Sequence, residues 1–577
     1  MSDDSLARTL RTAFNLRFSQ LLSRLKYRWE RRTAPDPNRY RFSGPGTPAL
    51  RSELPRIRDS LATTANNVEQ LSRGIVKQLN MQRVIGYKKV DWSLGPCTQD
   101  RLWTVTLHYH RWLADLARSS DGANAEVTAA LCRHYLTDWI SRCALDASGA
   151  RDLAWNSYAI STRIAEWISI YTSIGRELFS APEFESVFLG SLYQQASYLH
   201  SHVEYDLRAN HLMRDALGLA WAGRFFDGAQ PKRWLETATQ LAMEQSREQV
   251  HSDGGHFERS PMYHLEVMHD IYSLAHLLED AEAKRQLAAT WTRMAEFAAW
   301  VRHPDGQIPL LNDAALNGTR TPAQMLALAN ELNASCDPSL RSGGKYFPDT
   351  GLVVWHGEPW SIFFDVGAIG PNYQPGHGHA DTLSLECSYK GVRLFVDAGT
   401  HSYDLDDRRR YDRSTAAHNT VGIDAEDSSE VWQIFRVGRR AHPLDAYADF
   451  VGGGFNACAG HDGFTHLRGR PRHFRRIEFG KQQALSVEDR IEGSGKHRLA
   501  GGWLLHPDCS ARPVAGGWEI QTPAGSLKWI VDGPVGMKRF EKQCAYHPEF
   551  GLERMTTRLC WKIEGADLPV IVKARAE

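Results

Sequence analysis

The spacing of the apolar residues changes once along the chain, and this change limits the possible folds more than any other feature. From about residue 99 to residue 333, apolar side chains recur at helical spacing in segments of roughly 15 to 25 residues. A stretch rich in Gly, Pro and Ser, CDPSLRSGGKYFPDTG at 336–351, ends this pattern. Beyond it, apolar and polar residues alternate in short runs bounded by Gly, Asp and Pro, as in β-strands.

The two patterns predict an all-α half followed by an all-β half. Successive amphipathic helices joined by short loops pack as antiparallel pairs, and a long series of pairs curves into a solenoid or closes into a toroid. Many short strands over about 230 residues favour an antiparallel β-sandwich. We therefore expect an N-terminal arm with weak helices at 1–94, a helical domain at 95–335 and a β-sandwich domain at 345–577.

The charges and the cysteines exclude several classes of protein. Lys plus Arg and Asp plus Glu each number 68, so the formal charge is zero and no overall field attracts nucleic acid or an anionic membrane. This balance disfavours a nonspecific DNA binder and predicts no nucleic-acid partner. The nine cysteines are odd in number and never form C-x-x-C, which argues against a disulfide scaffold and against zinc bound by cysteine.

The apolar runs of the chain are too short to predict a transmembrane segment, which needs about eighteen residues. The first residues, MSDDSLARTLRTAFNLRFSQLLSRLKYRWERR, mix acids and arginines through the apolar positions and lack the uninterrupted apolar core of a signal peptide. These two features predict a cytoplasmic protein, with the periplasm or the cell envelope as the alternative.

The highest density of chemically active side chains lies in the β half. His377, His379 and Asp381 stand in a Gly-rich loop that enters a strand, and the next hairpin returns Asp397 toward them, with His418 further along. Imidazoles and carboxylates from separate points suit zinc or a similar divalent ion with an open position. Any one of these histidines alone is more simply explained by ordinary hydrogen bonds. The H-x-H-x-D pattern favours a site, because imidazoles two apart on an extended chain point the same way.

In the α half, candidate functional residues lie at two predicted helix starts. Asn210 and His211 open one helix, and Ser260 with Pro261 opens another as its N-cap and first helical residue, followed by Tyr263. Helix N-termini carry free N–H groups and a partial positive charge, so two that open into one cleft would hold a carboxylate well.

Each of these candidates has a simpler alternative. Asn210 is equally compatible with N-capping, Tyr263 with a half-buried core phenol, and His264 with a hydrogen-bonded core histidine. Glycoside hydrolysis, a weaker alternative, needs two facing carboxylates, for which Glu258 and Asp215 are available.

The prominent Tyr, His and Asn side chains suit β-elimination of a uronic-acid polymer. The C5 proton of a uronate becomes acidic when amide and imidazole donors neutralise the adjacent carboxylate. A tyrosinate or imidazole can take that proton, and a phenol or imidazolium can protonate the departing O4. The basic segments at 408–413, 436–440 and 468–476 could line a groove for a polyanion, or could simply face water.

Several of these segments carry a family resemblance. PGHGHADTLSLECSYKGVRLFVDAGT followed by RSTAAHNTVGID resembles the C-terminal domain of heparinase II/III-type polysaccharide lyases. ANHLMRDALGLAWAGRFF and DGGHFERSPMYH resemble the helical half of those enzymes. The resemblance runs from about residue 95 to the C-terminus, and it implies an incomplete α/α toroid followed by an antiparallel β-sandwich.

The resemblance also implies roles for individual residues. Tyr263 corresponds to the catalytic base and acid, His377 to its partner acid or base, and Asn210 and His211 to the groups that neutralise the substrate carboxylate. The position of a structural zinc ion resembles the set His379, Asp397 and His418. The candidate substrate contacts are Tyr158, Arg163, His264 and Glu258.

We therefore expect a lyase that cleaves a uronic-acid-containing polysaccharide by β-elimination in a cleft between toroid and sandwich, with an anionic polysaccharide as its partner. Members of this superfamily also serve surface polysaccharide synthesis, so a link to exopolysaccharide metabolism is expected as well. The alternative is a non-catalytic polysaccharide-binding or assembly factor with the same fold.

Overall fold

The structure is a computed structural model that describes residues 3–55, 57, 66–94, 100–120, 124–480 and 484–577. The start of the predicted helical domain at residue 95 and Cys97 lie outside the described residues. The eight cysteines within the described ranges are all free thiols, in agreement with the prediction of no disulfide scaffold.

Helices dominate the chain up to about residue 330. In chain order, the helices of this part are α1 (Asp3–Phe14), α2 (Phe18–Glu30), α3 (Val68–Ser72), α4 (Arg101–Leu107), α5 (Arg111–Arg118), α6 (Ala125–Arg142), α7 (Ser157–Leu178), α8 (Pro182–Ser201), α9 (Asn210–Phe225), α10 (Ala229–Gln249), α11 (Pro261–Leu277), α12 (Ala281–Trp300) and α13 (Pro322–Leu326). A short hairpin of β1 (Ile75–Gln78) and β2 (Met81–Val84) interrupts them.

Neighbouring helices pack closely on one another. Helix α7 lies against α5, α6, α8 and α9, and α9 lies against α10. Gly218 shows how close the approach is, because a Cβ there would stand 2.6 Å from the Cα atom of Ser161 on α7. A glycine at this position lets the two helix backbones meet, and the successive helix pairs form the incomplete α/α toroid that was predicted.

Antiparallel strands form the rest of the chain, with one further helix, α14 (Asp407–Arg413). In chain order, the strands are β3 (Gly343–Phe347), β4 (Leu352–His356), β5 (Trp360–Asp365), β6 (Leu385–Tyr389), β7 (Val392–Phe395), β8 (Val421–Ile423), β9 (Val431–Trp432), β10 (Arg436–Val437), β11 (Pro443–Asp449), β12 (Phe455–His461), β13 (Arg472–Phe479), β14 (Ser486–Glu492), β15 (Lys496–Leu504), β16 (Ser510–Val514), β17 (Gly517–Thr522), β18 (Gly525–Asp532), β19 (Lys538–Glu549), β20 (Leu552–Asp567) and β21 (Val570–Ala576).

Three larger sheets share one apolar core. Their strand orders are β3-β4-β5-β6-β7, β11-β12-β13-β14-β21-β18-β17-β16 and β19-β20-β15-β8. Trp360 of the first sheet, Ile477 of the second and Trp503 of the third are buried in the same cluster. Alternate residues of each strand supply this core, which is the packing expected of a sandwich. The predicted order of helical toroid and antiparallel β-sandwich is confirmed.

The chain forms two compact units that are not continuous in sequence. The β-rich unit comprises Met1–Leu16, Val250–Glu266 and Thr292–Glu577, and the helical unit comprises Arg17–Gln249 and Val267–Trp291. Residues 250–266, which include the start of α11, therefore belong with the sandwich although they lie within the helical part of the sequence.

Across the described ranges, we find no helix that combines the length and the apolar character needed to cross a membrane.

Candidate active site

A tightly held loop carries the H-x-H motif in the β-rich unit. Gly378 lies between His377 and His379, and a Cβ at this glycine would stand 2.2 Å from the carbonyl oxygen of Ile369. Arg413 is buried and donates to the Gly378 carbonyl oxygen from Nε at 3.2 Å and from a terminal nitrogen at 3.1 Å. The backbone at Gly378, between the two histidines, is therefore held by Ile369 on one side and by Arg413 on the other.

The first turn of α11 places Tyr263 against this loop. Ser260 acts as the predicted N-cap, because the backbone N–H of Tyr263 donates to its Oγ atom at 3.2 Å. The rings of Tyr263 and His377 stack with their centroids 3.9 Å apart and their planes at 33°. The Tyr263 hydroxyl also shares a hydrogen bond of 2.9 Å with the hydroxyl of the buried Tyr403. Two candidate catalytic side chains are thus in direct contact.

Asp313 connects the two histidines of the loop. Its carboxylate accepts hydrogen bonds from Nδ1 of His377 at 2.9 Å and from Nε2 of His379 at 2.8 Å. It also accepts two hydrogen bonds from the guanidinium of Arg409, one of them at 2.8 Å. Complete burial favours a raised pKa, but Arg409 and the two imidazole donors more than offset it and hold the pKa of Asp313 well below its usual range.

This arrangement determines which nitrogen of His377 is available for proton transfer. A carboxylate can only accept, so Nδ1 of His377 carries a proton, and Nε2 is the ring nitrogen that Asp313 leaves for proton transfer. Nε2 lies 3.6 Å from Oε2 of Glu258, a carboxylate that is almost completely buried. His377 therefore has the geometry of a candidate acid or base whose orientation is set by a second residue.

Beneath the loop, His379, Asp397 and His418 are completely buried and offer ligand atoms within 4.8 Å of one another. His379 donates from Nε2 to Asp313, and His418 donates from Nδ1 to Asp397 at 2.7 Å. Within the described part of the chain, the remaining nitrogens, Nδ1 of His379 and Nε2 of His418, are buried without a hydrogen-bond partner. Two such nitrogens beside a carboxylate match the donor set of a zinc site.

The helical unit holds the other candidate catalytic residues. Helix α9 begins at Asn210 with Ala209 as its N-cap, so Asn210 is the first helical residue and the N-capping alternative is wrong. His211 donates from Nδ1 to Oε2 of Glu204 at 2.9 Å. The rings of Tyr158 and His211 lie edge to face with their centroids 5.0 Å apart. Asn210, His211 and Tyr158 thus belong to one local cluster of this unit.

Two predicted substrate contacts have environments that do not suit that role. Arg163 is completely buried, and its guanidinium donates to Gln195 and to the carbonyl oxygens of His108 and Ala154. His264 is buried in the β-rich unit, where its Nε2 bonds the Met294 carbonyl oxygen at 3.0 Å. These two expectations are corrected, because both side chains are committed to the protein interior.

Burial also corrects other expectations from the sequence. Arg409 and Arg475, from basic segments expected to line a groove, are buried and paired with Asp313 and Asp489. Asp215, a carboxylate considered for glycoside hydrolysis, is completely buried and accepts hydrogen bonds from Ser161 and from the backbone of Glu204.

Asp313, Tyr403 and Arg409 belong to the site although no sequence pattern predicts them. Asp313 stands in the segment LLNDAAL and Tyr403 in THSYDLDD, neither of which contains a recognisable motif. Arg409 stood in a run of arginines whose individual roles had no separate signal. A buried carboxylate must find its partners in three dimensions, and sequence spacing does not encode them.

Family comparisons cover most of the chain. The family described as "Heparinase II/III N-terminus" matches residues 47–332, and the family "Heparinase II/III-like, C-terminal" matches residues 340–575. A heparin-sulfate lyase from Bacteroides stercoris is 25% identical over 60% of this chain and 58% of its own length. A heparin-sulfate lyase from Pedobacter heparinus is 24% identical over 70% of this chain and 63% of its own length. The chain therefore spans less than two thirds of these relatives.

Solved structures agree in fold. A crystal structure of heparinase III has a TM-score of 0.71 at 17% identity and covers 87% of this chain and 80% of its own. A heparan sulfate lyase from Pedobacter heparinus has a TM-score of 0.56 at 16% identity, over 96% of this chain and 87% of its own. Since the two family matches together span most of the sequence, the protein belongs to the heparinase II/III family.

Proposed function

We propose that the protein is a polysaccharide lyase that cleaves a uronic-acid-containing polysaccharide by β-elimination. The observation that carries this proposal is the contact between Tyr263 and His377, with Nδ1 of His377 committed to Asp313. A phenol and an oriented imidazole in contact supply the two proton-transfer groups that the reaction requires. Membership of the heparinase II/III family and relatives described as heparin-sulfate lyases support the same class of reaction.

The proposed reaction moves one proton from C5 of the uronate and returns one to the departing oxygen. A base removes the C5 proton, the C4–C5 double bond forms, the bond from C4 to O4 breaks, and an acid protonates O4. We assign these two transfers to Tyr263 and His377, which occupy the same side of the β-rich unit as one stacked pair. The phenol of Tyr263 is held by Tyr403, and the imidazole by Asp313, so neither group needs to reorganise before reaction.

Asn210 and His211 are proposed to neutralise the substrate carboxylate. An amide N–H and an imidazole N–H at the start of α9 are donors that suit a carboxylate, and the partial positive charge of a helix N-terminus adds to them. Glu204 orients the His211 ring through a hydrogen bond from its Nδ1 atom. Tyr158 remains a proposed substrate contact, whereas Glu258 is almost completely buried and does not suit that role.

The residues His379, Asp397 and His418 are proposed to hold a divalent ion, with zinc favoured by two imidazoles and one carboxylate. When bound, the ion would supply a structural cross-link beneath the catalytic loop. Metal analysis of His418→Ala should show loss of about one bound ion per chain together with a lower Tm. His473→Ala removes another buried histidine that bonds a carboxylate at 2.7 Å, and this control should retain the ion.

A panel of soluble uronic-acid polysaccharides tests the main proposal. Each elimination leaves an unsaturated uronyl end that absorbs in the near ultraviolet, so turnover is followed directly. We expect absorbance with at least one uronan and a loss of about 10² or more in kcat for Tyr263→Phe and for His377→Gln. Tyr447→Phe, at an exposed tyrosine of the β-rich unit, should retain the parent rate.

The alternative function is a non-catalytic polysaccharide-binding or assembly factor. Its signature would be tight binding of a uronan that survives Tyr263→Phe, with no near-ultraviolet absorbance from the parent protein at any pH or with added zinc. A saturated product would instead indicate hydrolysis and would contradict the elimination chemistry. We further propose that the polysaccharide belongs to surface or exopolysaccharide metabolism, which a panel that includes such polymers addresses.

A further inference from the structure

Helix α2 turns its polar side chains toward the protein. Gln20 is completely buried and donates from Nε2 to the Asp206 carbonyl oxygen at 3.2 Å. About two turns further along this side, the Tyr27 hydroxyl donates to the Val203 carbonyl oxygen, and the Tyr27 ring stacks on His202. Hydrogen bonds and one aromatic stack therefore attach the helix to the rest of the helical unit.

The opposite side of α2 is apolar and faces solvent. Phe18, Leu21, Leu22, Leu25 and Trp29 follow the spacing of one helix face, and we call them the apolar stripe. Phe18 is 74% exposed, Leu25 is 65% exposed and Trp29 is 67% exposed. Surface helices of globular proteins normally bury such a stripe and expose the polar side, so α2 has the reverse orientation.

Helix α1 shows the same reversal in the β-rich unit. Leu6, Leu10 and Phe14 are spaced at four residues and are all exposed, with Phe14 at 91%. On another side of α1, Arg11 donates to the carboxylate of Glu430. Two successive helices thus present large apolar side chains to solvent. Single exposed apolar residues are normal on a protein surface, but several on one helix face indicate an interaction site.

The basic residues around the apolar stripe indicate that its partner is anionic. Residues 17–32 contain six basic side chains and one acidic side chain, a net charge of +5 in a chain whose formal total is zero. Arg28, Arg31 and Arg32 are exposed at the end of the stripe that Trp29 occupies. A face of Phe, Leu and Trp bordered by Arg and Lys is typical of helices that lie in the interface of an anionic membrane.

We propose that α2 docks on an anionic lipid surface, with the apolar stripe among the acyl chains and the arginines against the headgroups. A second copy of the chain fits less well, because a twofold contact between two such helices brings two basic segments together. This docking does not depend on the proposed elimination chemistry. It would bring the protein to a membrane surface while leaving the site residues unchanged.

Vesicle sedimentation of the full chain tests the apolar stripe. We expect at least about tenfold stronger binding to vesicles of phosphatidylcholine with phosphatidylglycerol than to phosphatidylcholine alone, and weaker binding at high salt. Leu25→Gln with Trp29→Gln should abolish sedimentation. Val535→Gln with Met555→Gln changes two exposed apolar residues elsewhere and should bind like the parent. Hydrogen exchange of residues 18–30 should slow on addition of the anionic vesicles.

The arginines are tested by a matched pair of variants. Arg28→Gln with Arg32→Gln should weaken binding to anionic vesicles by at least about tenfold, whereas Arg468→Gln with Arg470→Gln should not. Tm and the rate on a soluble uronan serve as controls for folding. Equal binding to both vesicle types, or full binding by the stripe variant, would overturn the proposal. Dimerisation that the stripe variant abolishes, without vesicle binding, would also overturn it and would identify a second copy as the partner.

Discussion

At the scale of single residues, Asp313 has the widest influence on the candidate site. One carboxylate receives His377, His379 and Arg409, so it orients an imidazole for proton transfer and also fixes a candidate metal ligand. Because Asp313 acts through His377, it is a positioning residue rather than a catalytic one. Replacing Asp313 should therefore lower kcat per folded molecule more than replacing a purely structural carboxylate does.

We predict that Asp313→Asn lowers kcat by about 10² per folded molecule, because one amide oxygen cannot replace the two carboxylate oxygens that accept from His377, His379 and Arg409. The control is Asp489→Asn, another buried carboxylate that bonds a histidine and an arginine, His473 and Arg475. Both variants leave an arginine without its ionic partner and should lower Tm. Steady-state rates on a uronan, corrected for the folded fraction, distinguish them. Equal rates in the two variants would contradict the positioning role.

At the scale of elements, α14 supports the loop that carries His377 and His379. Asp406 caps this helix by accepting from the backbone N–H of Arg409 at 2.9 Å. Arg409 and Arg413 are four residues apart and therefore lie on one face of the helix, from which the first reaches Asp313 and the second reaches Gly378. A seven-residue helix thus fixes both the carboxylate and the backbone that orient the two histidines.

Gly378→Ala tests how tightly this loop is held. The added methyl group would stand 2.2 Å from the Ile369 carbonyl oxygen, so the loop must shift, at a cost of about 1 to 3 kcal/mol and with loss of the His377 orientation. Gly376→Ala, two residues earlier, should be tolerated because its methyl group would meet Phe435 at 3.5 Å. Tm and kcat should fall only in the first variant. Similar behaviour of both variants would show that the loop adapts.

The sequence predicted the helices and strands much better than the contacts between residues that are far apart along the chain. The change of apolar spacing near 336–351 predicted the helical and β halves, and Ser260 with Pro261 predicted the start of α11, because these signals are local. The contact of Tyr263 with Tyr403 joins residues 140 positions apart, and nothing in either segment marks it. Residues 250–266 likewise join the sandwich unit through tertiary packing, which periodicity does not report.

At the scale of the whole molecule, buried histidines make stability depend on pH. Burial is the main cause that lowers the pKa of these side chains, to about 3 in His108, to about 4 in His264, and well below the usual value in His110, His256, His303 and His461. The unfolded chain binds protons at these positions from about pH 6.5 downward, whereas the folded chain does not. The contribution of these histidines to stability is therefore complete above pH 6.5 and decreases as the pH falls toward the folded pKa values.

We predict that each such histidine contributes a loss of about 1.4 kcal/mol per pH unit to the stability between pH 6.5 and its folded pKa. His461→Leu should make this decline less steep, because one proton fewer is taken up on unfolding. His442→Gln, at an exposed histidine, should leave the slope unchanged. Circular dichroism melts at several pH values provide the measurement, and an identical slope in all three proteins would contradict the assignment.

The buried group around Asp313 also limits how sequences of this kind can diverge. Arg409 lies 96 positions away from Asp313 along the chain. Loss of either residue alone would nevertheless leave the other charge buried without its ionic partner. Substitutions at the two positions should therefore be inherited together, and an alignment of homologues should show them covarying as strongly as neighbours in a strand.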